Sequence, residues 1–159
     1  MTKIYAVCGK ICCGKTTYCQ ALQKKDRAML LSVDDLMLAI FPPQLGDSHD
    51  AVAAKAQNYL LARAQELVSL GVSVILDWGF WSQKSRDDLR AFCQQHKILL
   101  ELHYLHLSDE EWERRIARRN AEVSAGRGDA YYVDEGLLEK LHGMFQEPPR
   151  DQVDVWIDA

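Results

Sequence analysis

The sequence has no long apolar stretch, no large excess of charge of either sign and only four prolines in 159 residues. No apolar run approaches the roughly 18 residues that a membrane-spanning helix needs. The formal net charge of -4 disfavours non-specific binding to nucleic acid. The first residues lack the basic flank, apolar stretch and cleavage site of a signal peptide. We therefore expect neither a membrane protein nor an exported one.

The overall composition is typical of a globular protein. Hydrophobic residues make up 48% of the chain and charged residues 26%, which excludes disorder over most of its length. The length is typical of one domain, which we expect to span residues 1–159. Five cysteines in a chain without an export signal indicate reduced thiols and a cytoplasmic protein. Nothing here indicates an oligomeric state.

Short apolar runs alternate with segments of helical spacing along the whole chain. The runs predict five strands, at residues 3–8, 28–33, 72–76, 98–107 and 153–157. The intervening segments predict five helices, at residues 15–24, 48–70, 82–96, 108–120 and 134–145. Continuous apolar runs are typical of parallel strands covered on both faces. We therefore expect an α/β fold, a three-layer sandwich around a mostly parallel five-stranded sheet.

Residues 9–16 read GKICCGKT and match the phosphate-loop pattern G-x-x-x-x-G-K-[ST] without a mismatch. The motif follows a predicted strand and opens a predicted helix, which is the context it requires. Lys15 is expected to reach the β- and γ-phosphates of ATP, and the Thr16 hydroxyl to bind Mg²⁺. The predicted nucleotide-binding residues are Gly9, Lys10, Ile11, Cys12, Cys13, Gly14, Lys15, Thr16 and Thr17.

Cys12 and Cys13 occupy loop positions that small residues usually fill. One interpretation is that thiols are simply small enough to fit. The other is a redox switch, because a thiol at a helix N-terminus has a lowered pKa and reacts faster.

Carboxylates follow two of the predicted strands. Asp34 and Asp35 end the second strand, at the sheet edge where ligands bind in open α/β folds. One of them can act as a general base or bind Mg²⁺ in phosphoryl transfer, or can cap the next helix. Asp77 ends the third strand in a Walker-B-like pattern that predicts a second Mg²⁺ ligand, although many buried strands end in Asp.

Three aromatic residues, Trp78, Phe80 and Trp81, follow Asp77. They predict either a platform for the substrate or packing beneath the loop. Arg86 is expected either to point back at a phosphoryl group or to lie on the surface.

The helix after the fourth strand carries acidic residues first and four arginines later. Pairs at i,i+4, such as Glu111 with Arg115, are consistent with a self-paired surface helix. Residues 121–129 hold two glycines and no apolar periodicity, which predicts a mobile lid at about residues 120–132. We expect Arg115, Arg119 or Arg127 to contact phosphates as this lid closes.

Together these segments resemble the small P-loop kinases grouped with polynucleotide kinase, zeta-toxin and chloramphenicol phosphotransferase, often labelled AAA-type ATPases. The resemblance covers nearly the whole chain and rests on residues 9–17, 33–35, 74–77, 119–120 and 127–128, of which only the first segment is highly specific. It implies a fold similar to nucleoside monophosphate kinases, with a lid, and ATP and Mg²⁺ as cofactors.

The resemblance also implies roles for the acidic pair. In phage polynucleotide kinase the first Asp of such a pair is the general base, which corresponds to Asp34 here. We expect Asp35 to contact the substrate. That pattern places an arginine shortly afterwards to hold the substrate's phosphate, where this chain has Leu36, Met37 and Leu38. We therefore expect a kinase that phosphorylates a hydroxyl of a small molecule, with nucleic acid disfavoured. The alternatives are a nucleotide-binding ATPase or switch without an acceptor, and a polynucleotide 5′-kinase.

Overall fold

Five parallel strands form one sheet in the order β2-β3-β1-β4-β5. The computed structural model describes residues 1–42, 45–127 and 132–159. The central strand β1 pairs with β3 on one side and β4 on the other, so that Ile4 lies opposite both Val74 and Leu100. The strands are β1 Ile4–Cys8, β2 Met29–Ser32, β3 Val74–Gly79, β4 Leu100–His106 and β5 Val155–Asp158. The predicted five-stranded parallel sheet is confirmed.

Helices connect the strands and cover both faces of the sheet. They are α1 Lys15–Asp26, α2 Val33–Ile40, α3 His49–Ser69, α4 Gln83–Gln95, α5 Asp109–Ser124 and α6 Glu135–Met144. Short 3₁₀ turns lie at Gly46–Ser48 and Arg150–Gln152. Among these helices of the described part of the chain, none is both long and apolar enough to cross a bilayer.

Two apolar clusters, one on each face, hold the three layers together. Alternate residues of β1 point to opposite faces: Ile4 and Ala6 belong to one cluster, whereas Tyr5 and Val7 belong to the other. The first cluster includes buried residues of α2, α3 and α4. The second includes residues of α1, α5 and α6. The predicted three-layer α/β sandwich is therefore confirmed.

The third strand begins and ends later than predicted. Residues 70–72 close α3 instead, because the Gly71 amide donates to the Val68 carbonyl at 3.0 Å and the Val72 amide to the Leu67 carbonyl at 2.9 Å. These two hydrogen bonds, together with a φ of 85° at Gly71, form a Schellman motif. At its other end β3 continues through Asp77 to Gly79, which lies opposite Cys8 of β1.

The helix α5 is longer than predicted, and this shortens the predicted lid. It ends at Ser124 rather than near residue 120, because Gly126 adopts a φ of 72° and terminates it. The Arg127 amide donates to the Glu122 carbonyl at 2.8 Å, which completes a second Schellman motif. Residues 121–124 are therefore helical, and residues 128–131 of the predicted lid lie outside the described residues.

Candidate functional site

The predicted phosphate loop lies between β1 and α1, at the carboxyl edge of the sheet. A Cβ atom at residue 9 would lie 2.5 Å from Cys13 Sγ, so any other residue there would have to displace that sulfur. Gly14 has a φ of 89°, a left-handed conformation that glycine adopts without strain. The loop ends at the N-terminus of α1, whose first amides lack helical partners and attract anions.

Lys15 and Asp77 meet at this edge. Lys15 is the first residue of α1, and its Nζ atom forms an ion pair with Oδ1 of Asp77 in β3. The Asp77 residue is only 5% exposed, so the lysine ammonium compensates a carboxylate that is largely removed from water. Thr16 and Thr17 are exposed in the first turn of α1 and line the same cavity.

The first half of the loop is anchored to α5. Lys10 Nζ lies 2.9 Å from an oxygen of Asp109 and 4.7 Å from the ring centroid of Trp112. The hydrogen bond and the charge of Lys10 hold the pKa of Asp109 below its usual value. The Trp112 indole N–H donates to the Ile11 carbonyl at 2.8 Å. The start of α5 therefore supports the loop from one side.

The two loop cysteines differ in environment. Cys13 is buried, and burial raises the pKa of its thiol, which favours the packing interpretation for this residue. Cys12 is partly exposed and has a φ of 62°. Its Sγ atom accepts a hydrogen bond from Arg119 Nη1 at 3.1 Å. Both cysteines line the cavity, and Cys12 is the more exposed of the two.

The arginines of α5 lie at different distances from the loop. Arg119 contacts Cys12 and lines the cavity. Arg115 Nη1 lies 3.7 Å from the position of a Cβ atom on Gly14, while its Nε donates to Glu111 at 3.1 Å. Arg127 is exposed beyond the helix and is not among the described residues that line the cavity.

The acidic pair lies in the first turn of α2. The Ser32 hydroxyl caps this helix by accepting a hydrogen bond from the Asp35 amide at 3.2 Å, so the alternative that an aspartate is the cap is wrong. Ser32 has the extended backbone that a cap requires, because β2 ends there. Asp34 is exposed and lines the cavity, whereas Asp35 is exposed and is not among the described lining residues.

The aromatic residues after Asp77 divide between the cavity and the core. Trp78 and Trp81 are half-buried and line the cavity. The Trp81 indole packs over Gly79, where a Cβ atom would lie 2.6 Å from its Nε1 atom. Phe80 is only 3% exposed and packs in the core, 5.3 Å from the Trp78 ring. The substrate interpretation is therefore wrong for Phe80, because its ring is buried.

Arg86 matches neither sequence interpretation. It is 2% exposed, and its guanidinium donates to the carbonyl oxygens of Phe80 and Gln146, both at 2.7 Å. A buried guanidinium needs such partners. Arg86 therefore connects the segment after β3 with the segment after α6. It does not lie on the surface, and it is not among the described residues that line the cavity.

These parts surround a cavity of about 790 Å³. It brings together the phosphate loop, Asp34, Trp78, Trp81 and Arg119. Most of its remaining wall was missed by the sequence analysis and comes from α2, the segment after it and α3, including Met37, Leu38, Phe41, Leu45, His49, Ala53 and Gln57. The four-residue spacing of the last three is a visible signal of one helix face, but the sequence does not reveal what that face lines.

Comparison with known proteins extends this picture. A family model described as AAA domain matches residues 4–148. A putative kinase from Chloroflexus aurantiacus shares 19% identity, with a TM-score of 0.73 over 99% of this chain and 84% of that one. An APS kinase from Mycobacterium tuberculosis, in complex with AMPPNP and APS, shares 18%, with a TM-score of 0.67 over 99% and 88%. A gluconokinase from Sinorhizobium meliloti shares 20%, with a TM-score of 0.62 over 99% and 82%.

No curated protein sequence matches the chain significantly. The structural likenesses show that the fold is that of P-loop kinases, as the sequence resemblance implies.

Proposed function

The chain belongs to the AAA domain family, and on that premise we propose that it is an ATP-dependent phosphotransferase acting on a hydroxyl group of a small molecule. One observation carries this proposal: a single cavity contains both the phosphate loop and the exposed carboxylate of Asp34. A phosphoryl donor and a group that deprotonates an acceptor need to meet in one place.

The loop side of the cavity fits the phosphates of ATP and a bound Mg²⁺. The glycines leave room for close approach of phosphate, and the α1 N-terminus and Lys15 supply positive charge. When the nucleotide binds, the Lys15 ammonium leaves its ion pair with Asp77 and pairs with phosphate oxygens instead. Asp77 and the Thr16 hydroxyl are then available to hold Mg²⁺. ATP supplies the phosphoryl group, and Mg²⁺ offsets the charge of its phosphates.

Asp34 acts on the acceptor. Its carboxylate accepts the hydroxyl proton as the acceptor oxygen forms a bond to the γ-phosphorus and the bond from that phosphorus to the β,γ-bridging oxygen breaks. ADP and the phosphorylated alcohol leave, and the proton passes from Asp34 to solvent. Trp78 and Trp81 contact the acceptor inside the cavity.

Arginines of α5 stabilise the charge that develops during transfer. Arg119 already lies at the loop, 3.1 Å from Cys12 Sγ, and Arg115 lies over Gly14. Arg127 is exposed just beyond α5 and adds its charge if the end of this helix moves towards the loop. Positive groups held in position in this way are worth more in an enclosed site than in water.

The test is a screen for phosphoryl transfer. The protein is incubated with Mg²⁺-ATP and with nucleosides, sugars, aminoglycosides, aryl alcohols or single-stranded oligonucleotides, and both ADP and the phosphorylated acceptor are measured by mass spectrometry. We expect ADP to form in proportion to a phosphorylated small molecule, and Lys15→Ala to abolish both. Rapid ADP formation without any acceptor would establish an ATPase instead, and phosphorylation of oligonucleotide 5′ ends alone would establish a polynucleotide kinase.

A further inference from the structure

The cavity wall outside the phosphate loop is mostly apolar. We define the acceptor wall as Met37, Leu38, Phe41, Leu45, Ala53 and Trp78. Four of these residues, Met37, Leu45, Ala53 and Trp78, also belong to the apolar cluster on that face of the sheet. The wall is therefore continuous with the core. Binding sites for small molecules are typically lined in this way, with a few polar groups that fix orientation.

Two residues of the acceptor wall are exposed to solvent. The Leu38 residue is 75% exposed and the Phe41 residue 36% exposed. Covering apolar surface yields about 25 cal/mol per Å², so a ligand with an apolar body gains affinity by lying against these side chains. A strongly hydrated ligand gains nothing from the same contact.

The positive charges of the cavity lie on the phosphate side. The described lining residues include three residues with fixed positive charge, Lys10, Lys15 and Arg119. Lys10 and Lys15 pair with Asp109 and Asp77, and Arg119 contacts Cys12 of the loop.

The acceptor wall contains no lysine or arginine among its described residues. The charged residue of α2 that lines the cavity is Asp34. Arginine and lysine are the side chains that most often hold phosphate, sulfate or carboxylate groups. His49 of α3 also lines this part of the cavity, but its Nδ1 atom lies 3.5 Å from a carboxylate oxygen of Asp50. An anionic group on this wall would therefore share the cavity with the Asp34 carboxylate and have no lysine or arginine of its own. Gln57, half-buried on α3, supplies neutral hydrogen-bonding groups.

We infer that the acceptor is an uncharged alcohol with an apolar or aromatic body and without a phosphate, sulfate or carboxylate group. This inference rests on the proposed function and names the class of its acceptor. The hydroxyl group lies at Asp34, the apolar body on the acceptor wall, and a second neutral polar group at Gln57.

A pair of nearly isosteric alcohols tests the inference. para-Nitrobenzyl alcohol is neutral, whereas para-carboxybenzyl alcohol carries one negative charge in a group of the same shape. Binding of each is measured by calorimetry with Mg²⁺-AMPPNP already bound, and phosphorylation is measured with Mg²⁺-ATP. We expect the neutral alcohol to bind at least about tenfold more tightly, because like charges oppose binding of the carboxylate.

Three variants locate the effect. Phe41→Ala should weaken binding of the neutral alcohol by about fivefold or more. Leu38→Arg supplies the missing cation and should reverse the preference in favour of the carboxylate. Tyr59→Ala is the matched control, since Tyr59 is 56% exposed on α3 and is not among the described lining residues; it should change neither affinity.

The outcomes separate this inference from the proposed function. Equal or tighter binding of the carboxylate, or no binding of the neutral alcohol at millimolar concentration, would overturn the acceptor class. Binding of the neutral alcohol without phosphorylation by wild-type protein would support the ligand class and count against the phosphotransferase.

Discussion

The two sides of the candidate site are built in opposite ways. On the phosphate side, Asp77 is buried and paired with Lys15, and Gly9 leaves no room for another side chain. On the acceptor side, Asp34, Leu38 and Phe41 are exposed. Phosphates are alike in every nucleotide, so a rigid cradle suits them. If the proposed acceptor class is correct, the acceptor covers the exposed apolar side chains on its side of the cavity.

Removing Lys15 should have the largest effect, because it disrupts the phosphate side in two ways. Lys15→Ala leaves Asp77 buried without its partner, which should lower the free energy of unfolding by about 3 kcal/mol. The variant should also lose the stabilisation of about 2.7 kcal/mol that ATP provides at 100 times its dissociation constant. Thermal unfolding with and without Mg²⁺-ATP measures both losses.

Two further variants sharpen this result. Lys15→Ala/Asp77→Asn removes the buried charge and should recover stability without ATP, but not the ATP-dependent part. Lys24→Ala removes an exposed lysine from the same helix and should behave as wild type. A Lys15→Ala protein that ATP stabilises as much as wild type would contradict the phosphate-loop assignment.

Changing Asp34 should affect turnover and leave the nucleotide in place. Loss of a general base typically costs 10²–10⁴-fold in rate, or roughly 3–5 kcal/mol in the activation barrier. Asp34→Asn should therefore lower kcat by that factor with the acceptor identified in the screen, while ATP-dependent stabilisation stays near that of wild type.

Asp35→Asn is the matched control for Asp34. Both carboxylates are exposed in the first turn of α2, but only Asp34 is among the described residues that line the cavity. The control should therefore lose much less activity. A larger loss at Asp35 would reverse the assignment, and wild-type rates in both variants would remove a carboxylate base from the mechanism.

Features of the site that depend on contiguous residues are predicted by the sequence, whereas features that depend on packing between distant segments are not. Residues 9–16 are contiguous, and their spacing alone predicts a loop between a strand and a helix, which the structure contains. The Gly71 helix end is equally local. Asp34 follows β2 and Asp77 lies near the end of β3, so their place at one edge of the sheet follows from the prediction that the strands are parallel.

The acceptor wall and Arg86 depend on packing between distant segments. The wall joins α2, α3 and Trp78 through side chains whose facing direction is set by the tertiary fold. Arg86 appears in the sequence as an ordinary helix residue, yet it is buried against a carbonyl 60 residues away in the chain. Gly126, which terminates α5, is a local signal for a helix end. The polar residues before it nevertheless predict a loop, because they show no apolar periodicity.

Glycine substitutions compare the packing of the two sides directly. Gly9→Ala brings a Cβ atom to 2.5 Å from Cys13 Sγ and should cost about 1–3 kcal/mol through overpacking. Gly46→Ala, in the turn before α3, meets no described atom within 4 Å and should cost only about 1 kcal/mol, from its φ of 57°. Denaturant unfolding measures both changes.

A double variant identifies the cause of the Gly9 effect. Cys13→Ala removes the Sγ atom, so Gly9→Ala/Cys13→Ala should recover most of the stability that Gly9→Ala loses relative to Cys13→Ala alone. If the double variant recovers nothing, contact with the Cys13 sulfur is not the cause of the Gly9 effect.

Protection of Cys12 from alkylation should be the smallest of these effects. It tests whether the Cys12 sulfur lies on the phosphate side of the cavity. Burial raises the pKa of the Cys8 and Cys19 thiols to about 12 and of Cys93 to about 11, so these thiols react little at neutral pH. Cys12 is partly exposed beside Arg119 and should react first with N-ethylmaleimide. ATP at ten times its dissociation constant leaves about a tenth of the sites free and should slow the reaction about tenfold.

The neutral aryl alcohol alone should give no such protection, because the acceptor wall does not include Cys12. Mass spectrometry of wild type, Cys12→Ala and Cys13→Ala follows the reaction, and only Cys12→Ala should lose the fast phase. A fast phase that persists in Cys12→Ala would place the reactive thiol elsewhere. Protection by the alcohol as strong as that by ATP would show that one ligand covers both sides, and the division of the cavity would then be wrong.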